Sequence, residues 1–203
     1  MSSQKINYLD FFKTVGKSKR LPRSGWVREK VNDPESVAEH SFRVGVLIMM
    51  LVDKLDVRLD KNKLLKMVFV RGLGEVVTGD AVVERWDMID FKKRDEKERQ
   101  EREGVKKIFS KIDQSDEYLS IFDEMVNRDT PEAETFWQLD NLEMVIQALE
   151  YEEEQGKNLE EFFLHYALYY TRNPFIKEIF KNILKSRKKE YQESLTKKLG
   201  NKI

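Results

Sequence analysis

The chain has 203 residues, with 37 basic and 37 acidic side chains, two histidines and no cysteine. A net charge of zero removes the long-range attraction that a basic protein has for polyanions, so binding nucleic acid or a membrane would need a local patch. Without cysteine, disulfides, thiolate nucleophiles and cysteine-held metals are excluded. With 40% hydrophobic and 36% charged residues, the composition reads as a charged shell around an apolar interior. A chain of this size can bury roughly 70% of the surface it exposes when unfolded.

Helical periodicity dominates and predicts an all-α fold. The first helix is expected over residues 6–15, with Tyr8, Leu9, Phe11 and Phe12 forming an apolar stripe, and a loop follows over residues 16–32. Asp33 as a cap, Pro34 at the first helical position and Glu35 at the positive end of the dipole predict a second helix running to Leu55. Asp60 caps a third, through Leu64, Leu65, Val68 and Phe69 to Glu75, with Gly72 and Gly74 expected to loosen its end. Gly79, Asp80, Val82, Val83 and Trp86 read as a loop. Residues 91–112, dense in opposite charges four apart, read as a solvated surface helix and not as a binding motif.

Further helices are expected over residues 116–126, from a Thr130 cap and Pro131 to Glu154, over residues 158–170, and after Pro174. The last ends in a basic tail with Lys185, Arg187, Lys188, Lys189, Lys197, Lys198 and Lys202. Glu190 and Glu193 dilute this tail and no aromatic residues alternate with its bases, which speaks against stacking-assisted nucleic-acid binding. The longest apolar stretch, residues 44–52, is about half the roughly 20 residues that a membrane span needs. The first ten residues lack the basic start and apolar run of a secretory signal, so a cytoplasmic protein is the default expectation. No repeat, linker or composition break asks for a second domain, and residues 1–203 are read as one.

Each histidine can be weighed alone. His165 lies among Phe162, Phe163, Tyr166, Tyr169 and Tyr170 and reads as packing. His40 sits at the centre of Glu35-Ser36-Val37-Ala38-Glu39-His40-Ser41 on an amphipathic helix. Taken with Gly25-Trp26-Val27, Leu73-Gly74-Glu75, Gly79-Asp80, Leu139-Asp140, Leu142-Glu143-Met144 and Gln147-Ala148-Leu149-Glu150-Tyr151, it resembles the HD-domain phosphohydrolases. Within them the pattern is most similar to the metal-dependent nucleoside 5'-monophosphatases, or 5'-deoxynucleotidases. The likeness covers about residues 21–151, in order and with matching spacings, and helices over residues 158–199 would pack on that region.

The resemblance implies a helical bundle, a homodimer, and a divalent metal such as Mn, Co or Mg. In the family a histidine, an adjacent His-Asp pair and a distant Asp hold that metal, which activates water and neutralises developing phosphate charge. By resemblance His40 is the first ligand and Asp140 the last, while Arg71 and Gly72 stand where the pair belongs. Arg71 offers five donors and no lone pair, and Gly72 has no side chain, so metal binding is expected to be weak or absent. Two placements stay open for Arg71. Its guanidinium either balances Asp140, Glu75 or Asp80 near the vacated position, where it could hold a phosphate without making a metal hydroxide, or it swings into solvent.

Glu75 and Asp80 match acids that support catalysis in the nucleotidase branch; on the residues alone they read as helix-end and turn chemistry. Arg23 and Trp26 fall in the loop that the resemblance places along a nucleotide pocket, Arg23 suited to phosphate and Trp26 to a base or sugar. Trp26 reads equally well as core, and Arg23 as solvated. Three functions follow: an impaired phosphohydrolase relative that retains a nucleotide or phosphate pocket, an active 5'-nucleotidase releasing phosphate from nucleoside monophosphates, and a structural or interaction protein. The ligand-depleted pattern favours the first, with a nucleoside monophosphate as partner and neither membrane nor nucleic acid.

Overall fold

The computed structural model describes residues 6–80 and 91–200, with side chains described from residue 96 onward in the second stretch. Ten α-helices carry these residues. Among them the only strand-like pairing is a single bridge between Pro22 and Ser36. The fold is all-α, and no described helix is long and apolar enough to cross a membrane.

Helix α1 (Tyr8–Val15) is capped by Asn7, whose Oδ1 accepts from the Asp10 amide at 3.0 Å. Of its expected stripe only Phe11 is buried; Tyr8, Leu9 and Phe12 face out. The supposed loop after it holds a 3-10 turn (Gly16–Arg20) and a short helix, α2 (Ser24–Arg28). Helix α3 (Val37–Leu51) starts later than Asp33 and Pro34 predict, and it stops before Leu55 in a 3-10 turn, Val52–Lys54. Ser36 is the cap: its hydroxyl accepts from the Glu39 amide, and the Glu39 carboxylate accepts from the Ser36 amide at 2.6 Å. This reciprocal box satisfies two otherwise orphaned donors, which a lone Asp33 could not. Asp33 instead turns the chain with a φ of 50°.

Helix α4 (Lys61–Thr78) begins at its predicted cap, with Asp60 accepting from the Lys63 amide at 3.0 Å. It does not loosen at its glycines. A Cβ on Gly72 would stand 2.9 Å from Ser41 Oγ and 3.3 Å from Val37 Cγ1, so the absent side chain is what lets α4 lie close against α3. Gly74 faces Glu101 and Val105 of α5 (Phe91–Phe109), where an added Cβ would make ordinary contacts at 3.5 Å. Glu75 therefore lies inside a continuous helix, nearly one turn before its end. Of the expected loop, Gly79 and Asp80 are described, and Val82, Val83 and Trp86 lie outside the described residues.

Helix α5 buries Val105, Ile108 and Phe109, while Glu96, Arg99, Glu103, Lys106 and Lys107 are exposed. After α6 (Ser115–Asn127), α7 (Pro131–Gln155) runs through the centre, capped by Thr130 and buried along Phe136, Leu139, Leu142, Val145 and Ala148. Helices α8 (Glu160–Tyr169), α9 (Pro174–Ser186) and α10 (Lys189–Leu199) close its far end. His165 on α8 is buried between the Tyr169 and Tyr170 rings, at centroid distances of 5.1 and 5.2 Å.

The single final helix expected after Pro174 is broken at Arg187, which leaves the basic tail for the core. Its Nε and Nη2 donate to the two carboxylate oxygens of Glu152 at 2.9 and 2.7 Å, and its guanidinium lies 3.9 Å above the Phe163 ring. A planar fork that stacks on a ring while pairing a carboxylate outweighs helix continuation.

Candidate functional site

Four elements meet where α3, α4 and α7 pack. Helix α3 supplies His40, α4 supplies Arg71 and Glu75 one turn apart, the residue after Gly79 supplies Asp80, and α7 supplies Asp140 and Glu143 on one face at i,i+3 spacing. Arg23, just before α2, reaches in from the side. The structure thus brings together His40, Arg71, Glu75, Asp80, Asp140 and Arg23.

His40 is buried and held by both ring nitrogens: Nε2 faces Asp140 Oδ1 at 3.1 Å, and Nδ1 is bonded to Glu143 Oε2. Burial alone would push its pKa down, but the Glu143 and Asp140 carboxylates outweigh this and raise it to about 9. Glu143 is fixed in turn by Arg43, whose Nε donates to Oε1 at 2.8 Å while Nη1 pairs Glu150 at 2.7 Å. Despite its burial, Glu143 titrates below the usual carboxylate range because His40 and Arg43 neutralise it.

Arg71 turns inward. Its Nε stands 3.3 Å from Asp140 Oδ1, and its Nη1 donates to Glu75 Oε2 at 3.2 Å. Asp140 is buried, yet the Arg71 and His40 charges hold its carboxyl far below its ordinary value. Arg23 completes the row, with Nη1 at 3.4 Å from both Glu75 Oε1 and Asp80 Oδ2. Asp80 also accepts from the Ser24 amide at 2.8 Å. Burial would raise the Asp80 pKa, but Arg23 and Arg71 bring it down to about 2. Glu75, also buried, titrates above its ordinary value because burial outweighs its two guanidinium neighbours.

Trp26 belongs to the core and offers no face to a nucleotide. It is 2% exposed and packs on Phe162 and Tyr151 at centroid distances of 4.4 and 5.3 Å. Its indole N–H donates to Glu35 Oε1 at 2.9 Å. Glu35, read from sequence only as a helix-start residue, is thereby drawn under His40 and is raised to about 7 by burial and by Glu143. The sequence reading also passed over Glu143 and Arg43. Glu143 had a signal available, since i,i+3 spacing from Asp140 on a central helix places both carboxylates on one face.

A four-ligand divalent centre does not fit these positions. Arg71 and Gly72 contribute no lone pair, a guanidinium already leans on Asp140 Oδ1, and no side chain can be added at Gly72 without Ser41 moving. A different donor group does exist on the other side of the His40 ring. One ligand atom each from Glu35, His40 and Glu143 lie within 4.8 Å of one another.

The HD-domain family profile matches residues 15–194. The 5'-deoxynucleotidase HDDC2 of Danio rerio is 37% identical over 162 residues, covering 78% of this chain and 77% of that protein. The human 5'-deoxynucleotidase HDDC2 is 34% identical over 159 residues, or 76% and 74% of the two chains. Among solved structures, a conserved hypothetical protein from Pyrococcus furiosus superposes with a TM-score of 0.73 at 30% identity, covering 87% of this chain and 99% of that one.

Proposed function

The chain belongs to the HD-domain family, and from that premise we propose that it retains the family's phosphate-ester pocket while Arg71 stands in for the metal. On this reading it binds a nucleoside monophosphate and is impaired in metal-dependent hydrolysis. The observation that carries the reading is the Arg71 guanidinium on Asp140 beside His40. A divalent ion with one carboxylate ligand and a single guanidinium carry the same net charge, so the exchange leaves the surrounding acids balanced. Arg23 engages both of its carboxylates through one nitrogen and Arg71 pairs through two. Each fork thus has further donors suited to a phosphate. Neither can supply a metal-bound hydroxide. Glu75 and Asp80 hold the two arginines in position.

A second reading, an active metal-dependent 5'-nucleotidase, is supported by the names of the relatives and by the Glu35, His40 and Glu143 donor atoms. Metal analysis joined to a phosphatase screen over deoxynucleoside and ribonucleoside monophosphates separates the two. Thermal stabilisation by a monophosphate, with no stoichiometric Mn, Co or Mg and no phosphate release, is expected. A stoichiometric ion with brisk turnover would overturn the impaired-site reading. We also place the protein in the cytoplasm as a homodimer, the dimer because an apolar strip on α3 and α4 is left uncovered in the single chain: Phe42, Val46, Met49, Met50 and Phe69 are all exposed.

A further inference from the structure

A second cavity, of about 510 Å³, opens away from the His40 cluster between the end of α1, the Gly16–Arg20 turn and α4. Its rim carries Lys13, Lys17, Lys19 and Arg20, and its apolar wall is Leu21 and Val76. This is the local basic patch that the neutral overall charge made necessary for any anion partner. Four cations fall within eight residues, all exposed. Among the described residues none of the four makes an ion pair or a side-chain hydrogen bond. Asp10, whose charge Lys13 and Lys17 feel, is already bonded to the Lys111 ammonium at 2.5 Å.

Several basic groups elsewhere are matched to acids, as in Lys63 with Glu124, Lys66 with Glu117, Arg102 with Asp123 and Arg172 with Glu134. Four like charges gathered with no ion-pair partner among the described residues repel one another, and around a concavity that repulsion is relieved by a polyanion seated inside it. The volume falls in the range of small-molecule sites. Four separate cations suit several phosphoryl groups in a row better than one, and the Leu21 and Val76 wall suits an apolar or planar moiety attached to them.

We propose that this cavity binds a polyphosphate chain, as carried by a nucleoside triphosphate or by inorganic triphosphate, at a site separate from the Arg71 pocket. Occupancy can reach that pocket along two short covalent paths: Leu21 is two residues from Arg23, and Val76 follows Glu75. The proposal does not depend on the function proposed above, because it uses none of the same side chains.

The test is isothermal titration calorimetry of the full chain at fixed, moderate salt with inorganic triphosphate, a nucleoside triphosphate and a single-stranded oligonucleotide. The wild type is compared with Lys17→Glu/Lys19→Glu/Arg20→Glu, whose three sites are exposed, and with Lys61→Glu/Lys66→Glu as a charge control elsewhere. Saturable triphosphate binding that weakens at least tenfold in the triple variant and less than twofold in the control is expected. Tighter binding of the nucleoside triphosphate than of inorganic triphosphate assigns the apolar wall to the nucleoside, and equal binding assigns the site to the polyphosphate alone; both support the proposal. No saturable binding, equal weakening in the control, or tighter binding of the oligonucleotide than of either triphosphate overturns it. Retention of the wild-type melting temperature in the triple variant shows that a loss of binding is not a loss of fold.

Discussion

The Arg71 Nε and the His40 Nε2 share one oxygen, Asp140 Oδ1, at 3.3 and 3.1 Å. A buried carboxylate that serves two cations is stable only while both remain, because an uncompensated charge in that position has lost its water without gaining a partner.

Arg71→Ala is therefore expected to cost more than an ordinary truncation. Both Asp140 and Glu75 lose a partner, and removal of one member of a buried pair costs about 3–5 kcal/mol. Denaturant titration checks this, with a lowered midpoint at an unchanged slope as the expected outcome. If instead the variant matches the wild type, the guanidinium contributes nothing there.

Reverting Arg71→His and Gly72→Asp to the family's pair should by itself give poor metal uptake. The first carbon of the new Asp side chain meets Ser41 Oγ and Val37 Cγ1, and Ser41 Oγ is tied to the Val37 carbonyl at 2.8 Å. Overpacking of this kind costs about 1–3 kcal/mol. Adding Ser41→Ala removes the closest atom. Elemental analysis after incubation with Mn is expected to show more metal in the triple variant than in the double; equal occupancy would mean that α3 yields freely.

His165 makes the fold sensitive to acid. Burial, with a smaller contribution from Arg128, depresses its pKa from 6.5 to about 3. The native state keeps it neutral while the unfolded state takes up a proton below 6.5. Its contribution to stability is thus complete above that value and is lost as the pH falls toward 3, at up to about 1.4 kcal/mol per pH unit. His165→Phe should flatten the stability profile between pH 6 and 4 relative to the wild type. Parallel profiles would show that carboxylates alone govern the acid limb.

Sedimentation equilibrium tests the uncovered strip on α3 and α4. The wild type is expected as a dimer, and Phe42→Glu with Val46→Glu as a monomer of unchanged helicity. A monomeric wild type would refute the assignment.

Most of the helices were legible because their ends carry local chemistry: Asp60 and Thr130 each satisfy an amide three residues on, as their side chains and positions predict. Asp33 and Pro34 predict too early a start for α3, which the reciprocal Ser36–Glu39 box sets at Ser36. Gly72 and Gly74 read as helix breakers because helical propensity is local, whereas α4 runs through both and Gly72 allows close contact with α3, which no short window reveals. Of the cluster itself, His40, Asp140, Arg71, Glu75, Asp80 and Arg23 were identifiable by pattern. The inward turn of Arg71, the burial of Trp26 and the recruitment of Glu35 depend on which helices cross, and so they became visible only in three dimensions.

The break at Arg187 reaches further than the C-terminal helices. Glu152 lies on the same rod as Asp140 and Glu143, and the counter-charge that lets it stay indoors comes from Arg187, well past the motif-bearing residues 21–151 though inside the family match. A shortened version ending at Tyr151 would delete both members of that pair and unclad the rear of α7. The motif-bearing stretch of residues 21–151 is consequently not a unit that can be cut out and expected to stand.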